Sequence, residues 1–189
     1  MSRYRFWEPR EVEWVEEAVP QLPRRAALAF SARCARRASV LFRTFNPWAP
    51  YYYDERIWSA VELVEWIGAG RELDFPELLV EQLGEMIDAT RHAFDGDDDR
   101  SRGTNMSLQV LKSINCALRA TREERPDGVS DLVLEALNNA FWALWRKNDD
   151  APDESLLRDL RELLSRSQSQ GWTDETPVAP GEFGPLPGG

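Results

Sequence analysis

The segment from Pro23 to Phe45 constrains the fold more than any other stretch of the chain. At 100° per residue, Ala27, Phe30, Cys34, Ala38, Leu41 and Phe45 fall on one stripe, with Leu28, Ala35 and Phe42 beside it. A strand cannot use that spacing, because it turns successive side chains to opposite faces. Arg25, Arg33, Arg36 and Arg43 lie within an arc of about 80° on the other side, and Arg37 flanks them. The segment reads as one long amphipathic helix.

The same period recurs along the chain. A first helix is expected from Pro9 to Val19, with Val12, Val15 and Val19 on one face and Pro20 and Pro23 closing it. Two prolines make Asn46 to Tyr53 an ordered aromatic loop. Asp54 then caps a third helix to Ile67, closed by Gly68 and Gly70. A fourth is expected from Pro76 to Phe94 through Leu79, Leu83, Met86, Ile87 and Thr90, and the run from Asp95 to Gly103 as a solvated loop. A fifth spans Asn105 to Thr121, Pro126-Asp127-Gly128 reads as a turn, and two more helices cover Ser130 to Lys147 and Asp153 to Ser167. No segment alternates like a strand. The expectation is an all-α fold, an irregular bundle of about seven helices with antiparallel neighbours, in one domain over residues 1–167. A Pro/Gly-rich C-terminal tail, 168–189, follows it. That tail still carries Trp172, Val178, Phe183 and Leu186, so it folds back on the body, serves as a short linear binding segment, or carries them incidentally.

An apolar share of 42%, with 8 Phe, 8 Trp and 4 Tyr, offsets the entropy of ordering a chain of 189 residues. The net charge of −10 disfavours nucleic acid as a partner, because phosphate is repelled at long range. The charge is uneven: residues 24–53 carry six arginines and no acid, whereas 54–103 carry 5 basic and 14 acidic groups. Cys34 and Cys116 each sit among apolar neighbours at helical spacing, as buried thiols rather than a disulfide framework. No apolar run precedes a small-residue cleavage site and no stretch reaches the length of a membrane span. The chain reads as cytoplasmic, with no membrane partner.

Candidate chemistry is sparse. Asp95, Asp97 and Asp99 imitate the start of a calcium loop, but Arg100 stands where a glycine must turn and Met106 where a bidentate Glu must close the cage. His92 is the single histidine, which rules out a two-histidine metal site, and its place near a helix end suits the helix dipole. No phosphate loop, H-E-x-x-H or nucleophile elbow appears. No catalytic, metal-binding or cofactor-binding residue is therefore assigned. What stands out instead are side chains of the kind used at interfaces. The arginine row suits carboxylates in bidentate pairs, either an external acidic partner or the chain's own Glu11, Glu13, Glu16, Glu17 and Glu77, Glu81, Glu85, Asp88. Trp58, Glu62 and Trp66 form a row at i, i+4 and i+8 away from Ile57, Val61 and Val64, and Trp142 lies opposite the Val133–Leu137–Leu144 stripe. These tryptophans are either a second core face or an exposed contact surface.

The run Arg25-Ala-Ala-Leu-Ala-Phe-Ser-Ala-Arg-Cys-Ala-Arg-Arg-Ala-Ser-Val-Leu-Phe42, followed by Ala60-Val-Glu-Leu-Val-Glu-Trp66 and Gly70, resembles bacterial all-helical immunity proteins of toxin systems. The stretch Gly171-Trp-Thr-Asp-Glu-Thr-Pro-Val178 with Phe183-Gly-Pro-Leu186 is similar to the ending of a related group. The resemblance covers about a third of the chain. It implies an all-helical, non-enzymatic protein that binds a protein partner and needs no cofactor, and it supplies no residue-level roles. The expected function is thus protein binding, of the immunity type, through Arg25, Arg33, Arg36, Arg43, Trp58, Glu62, Trp66 and Trp142. The alternatives are an enzyme whose site is assembled from distant helices, a self-assembling subunit, and nucleic-acid binding through the arginine face and the aromatic loop Trp48 to Tyr53.

Overall fold

The computed structural model describes residues 9–72, 77–92, 99–147 and 154–180. Among them every regular element is helical. The order is α1 (Pro9–Ala18), a single 3-10 turn (Val19–Gln21), α2 (Arg24–Ser39), the one-turn α3 (Phe42–Phe45), α4 (Tyr52–Gly68), α5 (Glu77–His92), α6 (Asp99–Ala120), α7 (Pro126–Lys147) and α8 (Ser155–Ser169). Seven of these exceed one turn, and the all-α class expected from the periodicity is the class observed.

The core is built around α2, which packs against α4, α6, α7 and α8. Thirteen of its sixteen residues are buried, so it is enclosed on nearly every side rather than along one stripe. Its alanines make that enclosure feasible by letting neighbouring backbones approach. A Cβ added at Gly68 of α4 would lie 3.1 Å from the backbone nitrogen of Ala29, which shows how closely α4 crosses α2. One continuous apolar cluster runs from Val12 and Val15 of α1 through Phe30, Leu83, Leu111, Ile114 and Leu137 to Leu160 of α8. Burying each Leu or Phe stabilises the fold by roughly 1.5–3 kcal/mol relative to exposure.

Four boundaries differ from the sequence reading, each for a local physical reason. The long second helix breaks after Ser39: the Leu41 N–H bonds to the Ala38 carbonyl, three residues back, and the chain re-enters a helix only for Phe42–Phe45. Helix α6 begins at Asp99, inside the expected solvated loop, and Gly103 in its second turn lets the Phe45 carbonyl approach to 2.5 Å of where a Cβ would stand. Pro126-Asp127-Gly128 is the first turn of α7 rather than a separate turn: a proline at the first helical position gives up only an N–H that has no helical acceptor. A Cβ at Gly128 would stand 2.5 Å from the end of the Glu123 side chain, which would have to move aside. Helix α4 starts two residues early, at Tyr52, which draws two tyrosines of the aromatic loop into helix geometry. Asp95 and Asp97, the false calcium loop, lie outside the described residues.

The segment after α8 folds back as far as it is described. Gly171, at φ +62°, ends the helix and turns the chain. Trp172 packs partly buried against the core, and Thr173 to Thr176 close a turn with the Thr176 N–H donating to the Thr173 carbonyl. Val178 is 1% exposed, and its N–H donates to the Gly68 carbonyl at 3.0 Å. Residues 170–180 thus form a strap across the ends of α2 and α4. Phe183 and Leu186 lie outside the described residues.

Candidate partner-binding face on the fourth helix

The arginine row of α2 folds into a set of ion pairs within the molecule. The Arg33 Nε donates to Asp159 of α8 at 3.0 Å and the Arg37 Nε to the same carboxylate oxygen at 2.9 Å, all three side chains being nearly buried. Arg36 makes a bidentate pair with Glu65 of α4, its Nε donating at 2.9 Å, and its guanidinium stacks 5.0 Å over the Trp58 ring. That pairing raises the Arg36 pKa further above its already high value. Arg43 pairs with Asp54 at 2.7 Å and donates to the carbonyls of Ala49 and Pro50. Arg25 pairs with Glu175 of the strap at 2.8 Å and donates to the Glu175 carbonyl at 2.6 Å. The carboxylates that take these arginines lie on α4, on α8 and in the strap, where the sequence reading looked to the acids of α1 and α5.

The tryptophan row fares differently. Successive turns of α4 expose Tyr52, Glu55, Ser59, Glu62 and Trp66, a stripe at i, i+3, i+7, i+10 and i+14 that spans about 21 Å at 1.5 Å per residue. An aromatic ring stands at each end and carboxylates lie between. Trp66 is 40% exposed and carries the Arg71 guanidinium 5.4 Å above its ring. Trp58 borders the stripe, half-buried under Arg36. Trp142 is removed from it: it stands on α7, half-buried, edge-on to Trp145 with ring centroids 5.6 Å apart.

The loop leading into α4 extends the stripe; the sequence reading assigned its aromatics to the nucleic-acid alternative and not to a protein contact. Trp48 is 83% exposed and Tyr51 86%, with Val40 exposed nearby in sequence. The backbone that carries these rings is held in place, with the Ala49 N–H closing a turn onto the Asn46 carbonyl at 3.2 Å. Arg43, by clamping Asp54 and two loop carbonyls, fixes the backbone from Ala49 to Asp54 and places its own guanidinium 4.8 Å from the Tyr51 ring. Arg56 stacks 4.6 Å over Tyr52, which meets Tyr53 edge-on at 5.1 Å. The sequence signal for an ordered loop was present in its two prolines and three consecutive tyrosines. Which rings faced outward was not legible without the contacts of Arg43.

Elsewhere the ionisable groups offer little reactivity. Burial pushes the Cys34 thiol far up, aided by the nearby Asp159 carboxylate, and Cys116 is pushed up to about 12 by burial and by Glu135. Both are poor nucleophiles. His92 stands exposed in the last turn of α5. Among the described residues no group of three or more His, Cys, Asp or Glu is placed to hold a metal ion, and no helix is long and apolar enough to cross a membrane. An open groove at the α5–α6–α7 end is lined by Val80, Arg119, Arg122, Glu123 and Leu132. The chain matches no protein-family model, no curated protein and no solved structure.

Proposed function

We propose that this protein is a non-enzymatic binding module for another protein, of the immunity type that neutralises a toxin, and that its contact surface is the exposed face of α4 with the loop before it. The observation that carries the reading is the exposure of Trp48 and Tyr51, more than four-fifths in solvent, on a loop whose backbone is clamped by Arg43. Tryptophan, tyrosine and arginine dominate interface energetics, and a rigid aromatic loses little conformational entropy when a partner covers it. Nothing in the core requires these rings to be outside. The resemblance to immunity proteins supports binding in general but not this face, because its residues on α2 and α4 are mostly core residues, the alanines of α2 foremost.

The test is affinity capture from nuclease-treated host lysate with the wild-type protein and with a Trp48→Ala, Tyr51→Ala variant. Both substitutions are on the surface, so the urea midpoint should shift by less than about 0.5 kcal/mol. A stoichiometric protein retained by the wild type and lost from the variant, with affinity lowered about 100-fold, supports the reading. Equal capture by both sinks the choice of face, and a wild-type protein that retains nothing sinks partner binding.

A further inference from the structure

We infer that the slot between the N-terminal end of α2 and the C-terminal end of α4 is an acceptor site for an extended acidic segment of a partner protein. In this inference the strap is an occupant that holds the site closed in cis. The site is separate from the α4 face described above.

The slot recognises four features of a peptide. The Asp174 carboxylate accepts from the Arg24 backbone N–H at 2.7 Å. This caps a helix whose own N-cap, Pro23, offers no side-chain bond, so the anionic group is welcome there for both hydrogen-bonding and dipole reasons. The next residue, Glu175, is held twice by Arg25, through its carboxylate and its carbonyl. Pro177 then passes Gly70, whose missing side chain leaves the ring 3.3 Å from where a Cβ would stand. Val178 finally enters the core while its N–H bonds to the Gly68 carbonyl. Positive charge and free helix N–H groups at one end, a main-chain acceptor in the middle and an apolar hole are the parts by which grooves read extended segments.

Two observations distinguish this strap from chain that merely fills core. Beyond Trp172, which packs partly buried against the core, only Val178 is buried: Thr173, Asp174, Glu175, Pro177, Ala179 and Pro180 are all exposed. It is also joined to α8 through Gly171, at positive φ and with nothing within 4 Å of an added Cβ, so no side chain at that junction ties the strap to the helix. Charge complementarity names the occupant: Arg25 and the α2 N-terminus select adjacent carboxylates, and the slot selects a β-branched residue three positions after the second one. A tethered strap acts at an effective concentration in the millimolar range, so a partner segment enters only where it is itself held nearby or the strap is weakened.

The experiment uses the full chain. A fluorescent peptide with the sequence Trp172 to Pro180 is titrated by anisotropy against the wild type and against an Asp174→Lys, Glu175→Lys variant. Both changes fall on exposed residues and repel the strap from Arg25. The peptide should bind the variant at least tenfold more tightly than the wild type. A Glu175→Arg peptide should lose about tenfold on that variant and regain it when the variant also carries Arg25→Glu. Val178→Ser, with circular dichroism unchanged, provides a second way to open the strap and should act in the same direction. Equal binding to open and closed proteins, no binding up to about 1 mM, or no recovery with the swapped charges would overturn the inference.

Discussion

Helices α2 and α4 cross in direct contact and have opposite relations between sequence and exposure. Helix α2 carries five arginines, yet thirteen of its sixteen residues are buried. Helix α4 carries two tryptophans, two tyrosines and four carboxylates, and it keeps a complete face in solvent. Charge therefore does not report exposure in this protein. What decides it is whether a complementary group can be brought to the charged head. The long arginine stems of α2 pack along apolar neighbours while their heads reach Asp159 and Glu65, and small alanines on every side let those neighbours close in. On α4, Glu55 and Glu62 lie on the outward side, with aromatic rings at both ends of their stripe.

The strongest way to break this comparison is Asp159→Asn. It leaves the Arg33 and Arg37 heads buried without their shared carboxylate, and a buried pair broken from one side costs about 3–5 kcal/mol. Urea unfolding should show that loss. A loss below 1 kcal/mol would mean that the two arginines find water, and that α2 is less enclosed than described. Gly68→Ala tests the closeness of the crossing. The added methyl would meet the Ala29 backbone at 3.1 Å, so the helices must separate, at about 1–3 kcal/mol in the same measurement. The smallest effect reads the enclosure of α2 through Cys34. Its native thiol titrates far above the ordinary value of 9.0, at which the unfolded chain titrates. Below that value both states hold the proton and nothing changes. Above it the unfolded state binds fewer protons than the native state, so stability falls as pH rises. By pH 10 the wild type should lose about 1.4 kcal/mol more than Cys34→Ala does over the same interval. Equal losses would show that water reaches the thiol.

The periodicity of Ala27, Phe30, Cys34, Ala38 and Leu41 identified the face of α2 that is buried, and it identified nearly every other helix, because local spacing carries that information. It could not reveal that the arginine side is buried too. Asp159 is 122 residues from Arg37 and 126 from Arg33, and nothing local marks it as their partner. The Trp58–Glu62–Trp66 row was legible as the side of α4 away from Ile57, Val61 and Val64 but not as core or surface; Glu62 and Trp66 are exposed there and Trp58 is half-buried. Tyr51 and Trp48 were legible as a loop but not as a surface, because their orientation depends on a clamp that Arg43 makes only after α2 has broken at Val40 and α3 has formed. Trp172 and Val178 stood out as apolar residues in a Pro/Gly-rich setting, and the destination of Val178, beside Gly68, is set by the α2–α4 crossing.

The shared carboxylate of Arg33 and Arg37 also bears on the order of events during synthesis. Helix α2 leaves the ribosome early, but the group that neutralises its buried side follows more than a hundred residues later, and the Asp174 cap for its first turn later still. Until α8 has been made, enclosing α2 would strand two guanidinium groups, so the emerging chain gains little by closing its core piecemeal. On this geometry the full burial of the second helix is expected to wait for the last long one, a late gain of protection that hydrogen exchange during refolding would read at Arg33 and Arg37.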